Sequence, residues 1–360
     1  MHRFAFVIHP VDVKRDAARK YPIAKYLPER WVEQILMRKE PMVVSHITGL
    51  QSLTGATAEG WFIGCPLSPR MMLSLPLEFV YRKIIRCGQI AQELGAEIIG
   101  LGAFTSVVGD GGITIAKSLD IAVTTGNSYT VATAIEAAIL GAEKMGVPIG
   151  EATVAVVGAT GSIGRTCAEA LAPHAKTMLL LGRHEARLEP IAAQLRPHAR
   201  GDVRVSADLA RDLPNADVVI TVTSAVDAVI YPKHLKSGAV VVDVARPRDV
   251  SVRVAQERAD VLVIEGGLVE APGKVDFGFD FGFPPRMAYA CMSETMMLAL
   301  DGRIENFTLG KEVSLQQVAE TQQLAQKHGF RLAGFRSFER ALTDSEIEAI
   351  RERAKRAVAV

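Results

Sequence analysis

The stretch TVAVVGATGSIG, residues 153–164, constrains the fold more than any other. A β-branched run leads straight into Gly158, and Gly161 and Gly164 follow at equal spacing. Such a run reads as a buried parallel strand. Glycines in this pattern ahead of a helix permit a tight turn whose backbone N–H groups approach a pyrophosphate. Thr160, Ser162 and Ile163 fill the turn and join the three glycines as expected cofactor contacts.

Five further runs repeat the rhythm: TMLLLGRH (177–184), DVRVSA (202–207), ADVVITVTSA (216–225), GAVVVDVARP (238–247) and DVLVIEGG (260–267). Polar, Leu- and Ala-rich segments separate most of them, as crossover helices do. The expectation is an α/β protein with a Rossmann-type doubly wound parallel sheet over residues 150–284. The second strand ends in Gly182-Arg183-His184 and lacks the acid that binds a ribose 2′-hydroxyl. Arg183 can stack on adenine or pair with a 2′-phosphate, so NADPH is favoured over NADH. Thr223 and Ser224 close the fourth strand, where they either contact the cofactor or cap a turn. Asp243 reads as fixing a turn rather than transferring protons.

Upstream, strand-like runs at 43–52, 57–66, 96–106 and 120–127 surround a helix whose apolar positions include Leu77, Val80, Ile84, Ile90 and Ala91. They predict a separate N-terminal α/β substrate domain over 1–130. A linking helix (131–149) follows, with Ser128 favoured over Asn127 as its N-cap. Gly146 and Pro148 end it. Downstream, Phe277, Phe279, Phe281 and Phe283 alternate. In an extended segment their rings share one side, to line a pocket or seat the loop on the core. Pro284 and Pro285 are expected to start the helix holding Cys291. That puts Cys291 more than one turn in, where the helix dipole is weak. C-terminal helices over 285–360 are expected to return to the interdomain cleft. Ser314 with Gln317 and Thr343 with Glu346 have capping-box spacing.

Bulk properties exclude other classes. The formal net charge is +1, so there is no bulk electrostatic case for nucleic acid or membrane binding. Four dispersed cysteines suit a reducing cytoplasm. The histidines form no metal spacing, and no uncharged run of membrane-spanning length is visible. A cytoplasmic protein is expected, with its oligomeric state left open.

LGAFTSVVGDGG (101–112), TTGNSYTVA (124–132), TVAVVGATGSIG (153–164) and RMAYACMSETMML (286–298) occur in that order. Together they resemble the cyanobacterial long-chain acyl-[acyl-carrier-protein] reductases, from about residue 95 to about residue 330. VVDVARPRD (241–249) also resembles the corresponding turn in glutamyl-tRNA reductases and shikimate dehydrogenases, which share this dinucleotide domain. The resemblance implies NADPH-dependent reduction of a fatty acyl thioester to a fatty aldehyde through a cysteine acyl-enzyme, with Cys291 as the cysteine. It implies acyl carrier protein or acyl-CoA as donor, and an aldehyde-consuming partner enzyme. Phe104, Thr105, Asn127, Tyr129 and Glu294 fall in its motifs as candidate substrate contacts. Tyr129 stands where the family commonly has histidine. A small basic group, Arg82, Lys83 and Arg86, is either a carrier contact or an ordinary solvated face.

Two other readings compete. A shikimate-type dehydrogenase needs a lysine–aspartate pair, for which Lys117 and Asp120 are the candidates. A non-enzymatic NADPH sensor needs Cys291 only as core packing, a common fate of free cysteine.

Overall fold

The computed structural model describes residues 1–280 and 282–358. Phe281 and the last two positions of the C-terminal segment lie outside the described residues. The chain divides into two compact units: Met1–Tyr129 with Val269–Arg331, and Thr130–Leu268 with Leu332–Val360.

In the first unit, parallel strands β1 (His2–Ile8), β3 (Thr57–Gly64), β4 (Ile98–Gly100) and β5 (Ala122–Thr124) lie in the order β3-β1-β4-β5. Antiparallel β2 (Met42–Gln51) extends the sheet beyond β3, and the strand Gly273–Asp276 pairs antiparallel with β2. Phe4, Ala5, Phe6 and Val7 of β1 are all buried because both sheet faces are covered. The helix Ala290–Asp301 packs on β1 and β4. A Cβ on Gly100 would meet Thr295 Oγ1 at 2.1 Å, so the bare backbone permits that approach.

The second unit holds six parallel strands in the order β11-β10-β9-β6-β7-β8. They are β6 (Thr153–Val157), β7 (Thr177–Leu181), β8 (Asp202–Ser206), β9 (Val218–Thr221), β10 (Val240–Asp243) and β11 (Leu262–Glu265). The order reverses between β6 and β9, the switch point at which doubly wound sheets bind ligands. The expected α/β class with a Rossmann-type sheet is therefore the observed one.

Several local expectations change. The helix after β5 begins at Asn127, so Ser128 lies inside its first turn instead of capping it. The phenylalanine segment does not stay extended. Gly278 (φ +60°) and Gly282 (φ +96°) turn the chain. Phe277 stacks on Phe62 at 5.8 Å, while Phe283 meets Tyr289 edge-on at 4.8 Å. Both expected capping boxes form, with Gln317 N on Ser314 Oγ at 3.1 Å and Glu346 N on Thr343 Oγ1 at 3.3 Å.

Among the described residues, no helix is long and apolar enough to cross a membrane.

Candidate functional site

The prolines at 284 and 285 do not open the Cys291 helix. Arg286 adopts a left-handed φ of +68°, and Met287–Tyr289 form a short strand. Tyr289 is the extended N-cap, and the helix starts at Ala290. Cys291 is thus the second helical residue, in the turn where backbone N–H groups lack helical partners and the dipole is strongest. Cys65, Cys87 and Cys167 are fully buried, whereas Cys291 keeps partial exposure.

Burial pushes the Cys291 thiol up to about 12. The backbone N–H groups of Met292 and Ala103 oppose that rise, and the Glu294 charge adds to it. Ala103 reaches the sulfur from the Gly102–Ser106 turn with a left-handed φ of +47°, rare for alanine. Thr105 Oγ1 holds the turn, donating to Gly102 O (2.8 Å) and accepting from Gly102 N (3.0 Å). His9 braces it from β1. Its Nε2 accepts from Phe104 N at 3.2 Å, so the ring proton belongs on Nδ1, beside Pro10 O at 3.2 Å. Burial keeps the His9 pKa below 6.5, consistent with a neutral acceptor.

A second loop closes on the same helix start. A Cβ on Gly126 (φ +73°) would lie 2.3 Å from both Cα and Cβ of Cys291. Only glycine lets this backbone pass so close. Glu294, one turn on, is fully buried. Its Oε1 accepts from Thr124 Oγ1 (2.5 Å) and Thr308 Oγ1 (2.9 Å), and its Oε2 from Ser128 Oγ (2.6 Å) and Tyr129 N (3.0 Å). The carboxylate therefore ties the TTGNSY loop to the cysteine helix. Thr308 holds a left-handed φ of +50°, so two strained non-glycine residues face this one site. Beside Gly126, Asn127 is 3% exposed, and its Nδ2 has no hydrogen-bond partner among the described residues.

The structure thus gathers Phe104, Thr105, Asn127, Tyr129, Cys291 and Glu294 in one unit. Sequence reasoning missed Ala103, His9, Gly126 and Thr308. Ala103 and Gly126 stood inside quoted motifs, and their signal was the small side chain. His9 and Thr308 gave none, because only tertiary contacts bring them here.

The other candidates disperse. Lys83 is buried, with Nζ 2.7 Å from both Lys39 O and Glu40 Oε1, and Arg86 pairs with Glu93, while Arg82 stays exposed, so Lys83 does not belong to a surface basic group. Lys117 and Asp120 are both exposed, and the carboxylate of Asp120 accepts from Gln92, not from Lys117.

In the second unit, Gly158 (φ +88°) turns directly against Val222, where a Cβ would meet the carbonyl at 2.7 Å. Gly161 is the N-cap of the helix Ser162–Leu171. Gly164 packs on the Gly158 carbonyl, 2.5 Å from an added Cβ. Thr160 and Gly161 are exposed, with Ser162 and Ile163 partly so. Arg183 stands exposed just after β7. These features fit a dinucleotide. Thr223 caps its own turn, with its hydroxyl on Asp249 Oδ1 (2.5 Å) and accepting from Ala225 N (3.1 Å), whereas Ser224 is exposed. Asp243 accepts from Ala245 N and Val250 N and fixes the following turn. Burial raises its pKa to about 6.

Residues 140–265 match the family model described as shikimate / quinate 5-dehydrogenase. With the strand order and the glycine turn, this makes the chain an oxidoreductase with an NAD(P)-binding domain. Among individual proteins, it is 32% identical over 339 residues to aminotransferase PigE of Serratia sp.. That match covers 91% of this chain, but the chain spans only 39% of that relative's length. It is 29% identical over 342 residues to long-chain acyl-[acyl-carrier-protein] reductase of Synechococcus elongatus, covering 89% of this chain and 95% of that one. Among solved structures, quinate dehydrogenase from Corynebacterium glutamicum in complex with NAD aligns at 14% identity and a TM-score of 0.36, over 72% of this chain and 87% of that one.

Proposed function

We propose that the protein reduces a long-chain fatty acyl thioester, carried by acyl carrier protein or coenzyme A, to a fatty aldehyde with NADPH. The observation that carries this reading is the placement of Cys291: partly exposed, in a helix's first turn, with the Ala103 and Met292 N–H groups at its sulfur. The similarity over nearly full length to a long-chain acyl reductase supports the choice of substrate.

In this reading, Cys291 Sγ attacks the acyl carbonyl, and the carrier's C–S bond breaks. The carrier thiol leaves with the proton, and an acyl–Cys291 thioester remains. In this reading the N–H groups that face the sulfur, together with the Asn127 amide, would stabilise charge developing on the carbonyl oxygen. Glu294 and His9 act at one remove, holding the two loops that present those donors. Gly158, Gly161, Gly164 and Arg183 would hold NADPH, with Arg183 at the 2′-phosphate. Bound there, NADPH would supply the hydride that, with a proton, converts the acyl group to aldehyde and frees the thiol.

The test is incubation with a long-chain acyl-CoA, followed by intact mass and aldehyde measurement with NADPH. The expected result is an acyl adduct on Cys291, and loss of both adduct and aldehyde in Cys291→Ala. Aldehyde formation that persists in Cys291→Ala overturns the covalent route.

A further inference from the structure

The first unit carries a helical segment that the proposed chemistry does not use. It comprises α1 (Val13–Lys20), a 3-10 turn (Pro22–Tyr26) and α2 (Glu29–Arg38). Its inward side is satisfied by a small core of Val13, Ala17, Ala24 and Val32, with Ala18, Leu27 and Leu36 packed on it. Its outward side is unusually apolar. Ile23 is 67% exposed, Tyr26 76%, Trp31 52% and Ile35 47%. Ile23 and Tyr26 are three apart in a 3-10 turn, so they eclipse. Trp31 and Ile35 are four apart on α2, so they share a face. Tyr21, also exposed, extends the patch to exposed Met42, its hydroxyl 3.6 Å from Met42 Sδ.

Charge surrounds these side chains. Residues 12–40 hold eight Lys and Arg against five Asp and Glu, while the whole chain holds 41 against 40, so the remainder is net acidic. The basic excess is interleaved with the aromatics. Lys25 Nζ lies 4.7 Å from the Tyr26 ring centre and Lys39 Nζ 5.6 Å from that of Tyr21. An exposed tryptophan and aliphatic side chains amid flanking cations match the requirements of an interfacial lipid contact: apolar groups that enter the acyl boundary and cations that meet anionic headgroups.

We propose that the Val13–Arg38 segment docks the protein on an anionic lipid surface. This stands apart from the reading of Cys291, because vesicle binding requires no turnover.

The test is co-sedimentation of the full chain with vesicles of phosphatidylcholine alone, or mixed in equal parts with phosphatidylglycerol, at low and high salt. Binding to the mixed vesicles at low salt is expected, weakened by salt and by removal of the anionic lipid. Trp31→Ser combined with Ile35→Ser is expected to weaken it about tenfold or more. Lys25→Glu with Arg30→Glu should remove the preference for phosphatidylglycerol. Trp31→Phe keeps the apolar contact, so it should still bind while losing the blue shift in tryptophan emission. Absence of binding to the mixed vesicles overturns the proposal. So does binding that the double serine variant leaves unchanged, or equal binding to neutral vesicles. Capture of an acidic carrier protein through the same residues, without vesicle binding, also overturns it and assigns the face to a protein.

Discussion

Glu294 accepts hydrogen bonds from Thr124, Ser128, Tyr129 and Thr308 with no surface left to solvent, so its oxygens are occupied by the protein itself. Glu294→Gln turns one oxygen into a donor facing other donors. The expected cost is about 1–3 kcal/mol of stability, read from the urea midpoint, with aldehyde formation falling further than the stability loss explains. His9 carries a pH signature. Its folded pKa lies below 6.5, so between that value and 6.5 the unfolded chain binds a proton that the folded chain does not. Its contribution to stability is complete above 6.5 and is lost as pH falls toward the folded pKa. Denaturation midpoints measured across this range should fall with pH less steeply in His9→Leu than in the parent. An unchanged slope sinks the assignment.

At the scale of elements, two loops and one helix start converge on Cys291, and the meeting depends on missing side chains. Gly126→Ala adds a Cβ 2.3 Å from Cys291 Cα at a φ of +73°. The expected outcome is slower alkylation of Cys291 by iodoacetamide, about tenfold, with NADPH affinity in the second unit unchanged. The parent's alkylation rate should climb with pH through the range below about 12, where burial has placed the thiol. The misplaced helix start has a clear cause. Pro284 and Pro285 are compatible with the first turn of a helix, and periodicity does not register that Arg286 turns left-handed or that Met287–Tyr289 enter a strand. The same limit explains Lys83. Its position on the helix was legible, but its burial under Lys39 and Glu40 comes from a segment more than forty residues away.

For the molecule as a whole, the second unit presents the nucleotide fold and the first presents the thiol. NADPH that binds the folded second unit raises its stability by mass action, about 2.7 kcal/mol at a hundredfold excess over Kd. Gly158→Ala, which forces a Cβ onto the Val222 carbonyl, should abolish that thermal shift. Arg183→Ala should reduce the shift given by NADPH while leaving that given by NADH. Equal loss with both cofactors would remove Arg183 from the 2′-phosphate. Neither substitution should alter the Cys291 alkylation rate.

The β-branched runs, the glycine spacing and the capping boxes were readable because each is a local pattern, set by backbone sterics and by a repeat of two or 3.6 residues. They determined the parallel sheet, its turn and the helix ends. The surroundings of Cys291 were decided only by the folded chain. Ala103 and Gly126 are brought to Cys291, and His9 and Glu294 to the loops that carry them, by the order β3-β1-β4-β5 and by a helix packed on it. Long-range packing creates those contacts, and no local period encodes them.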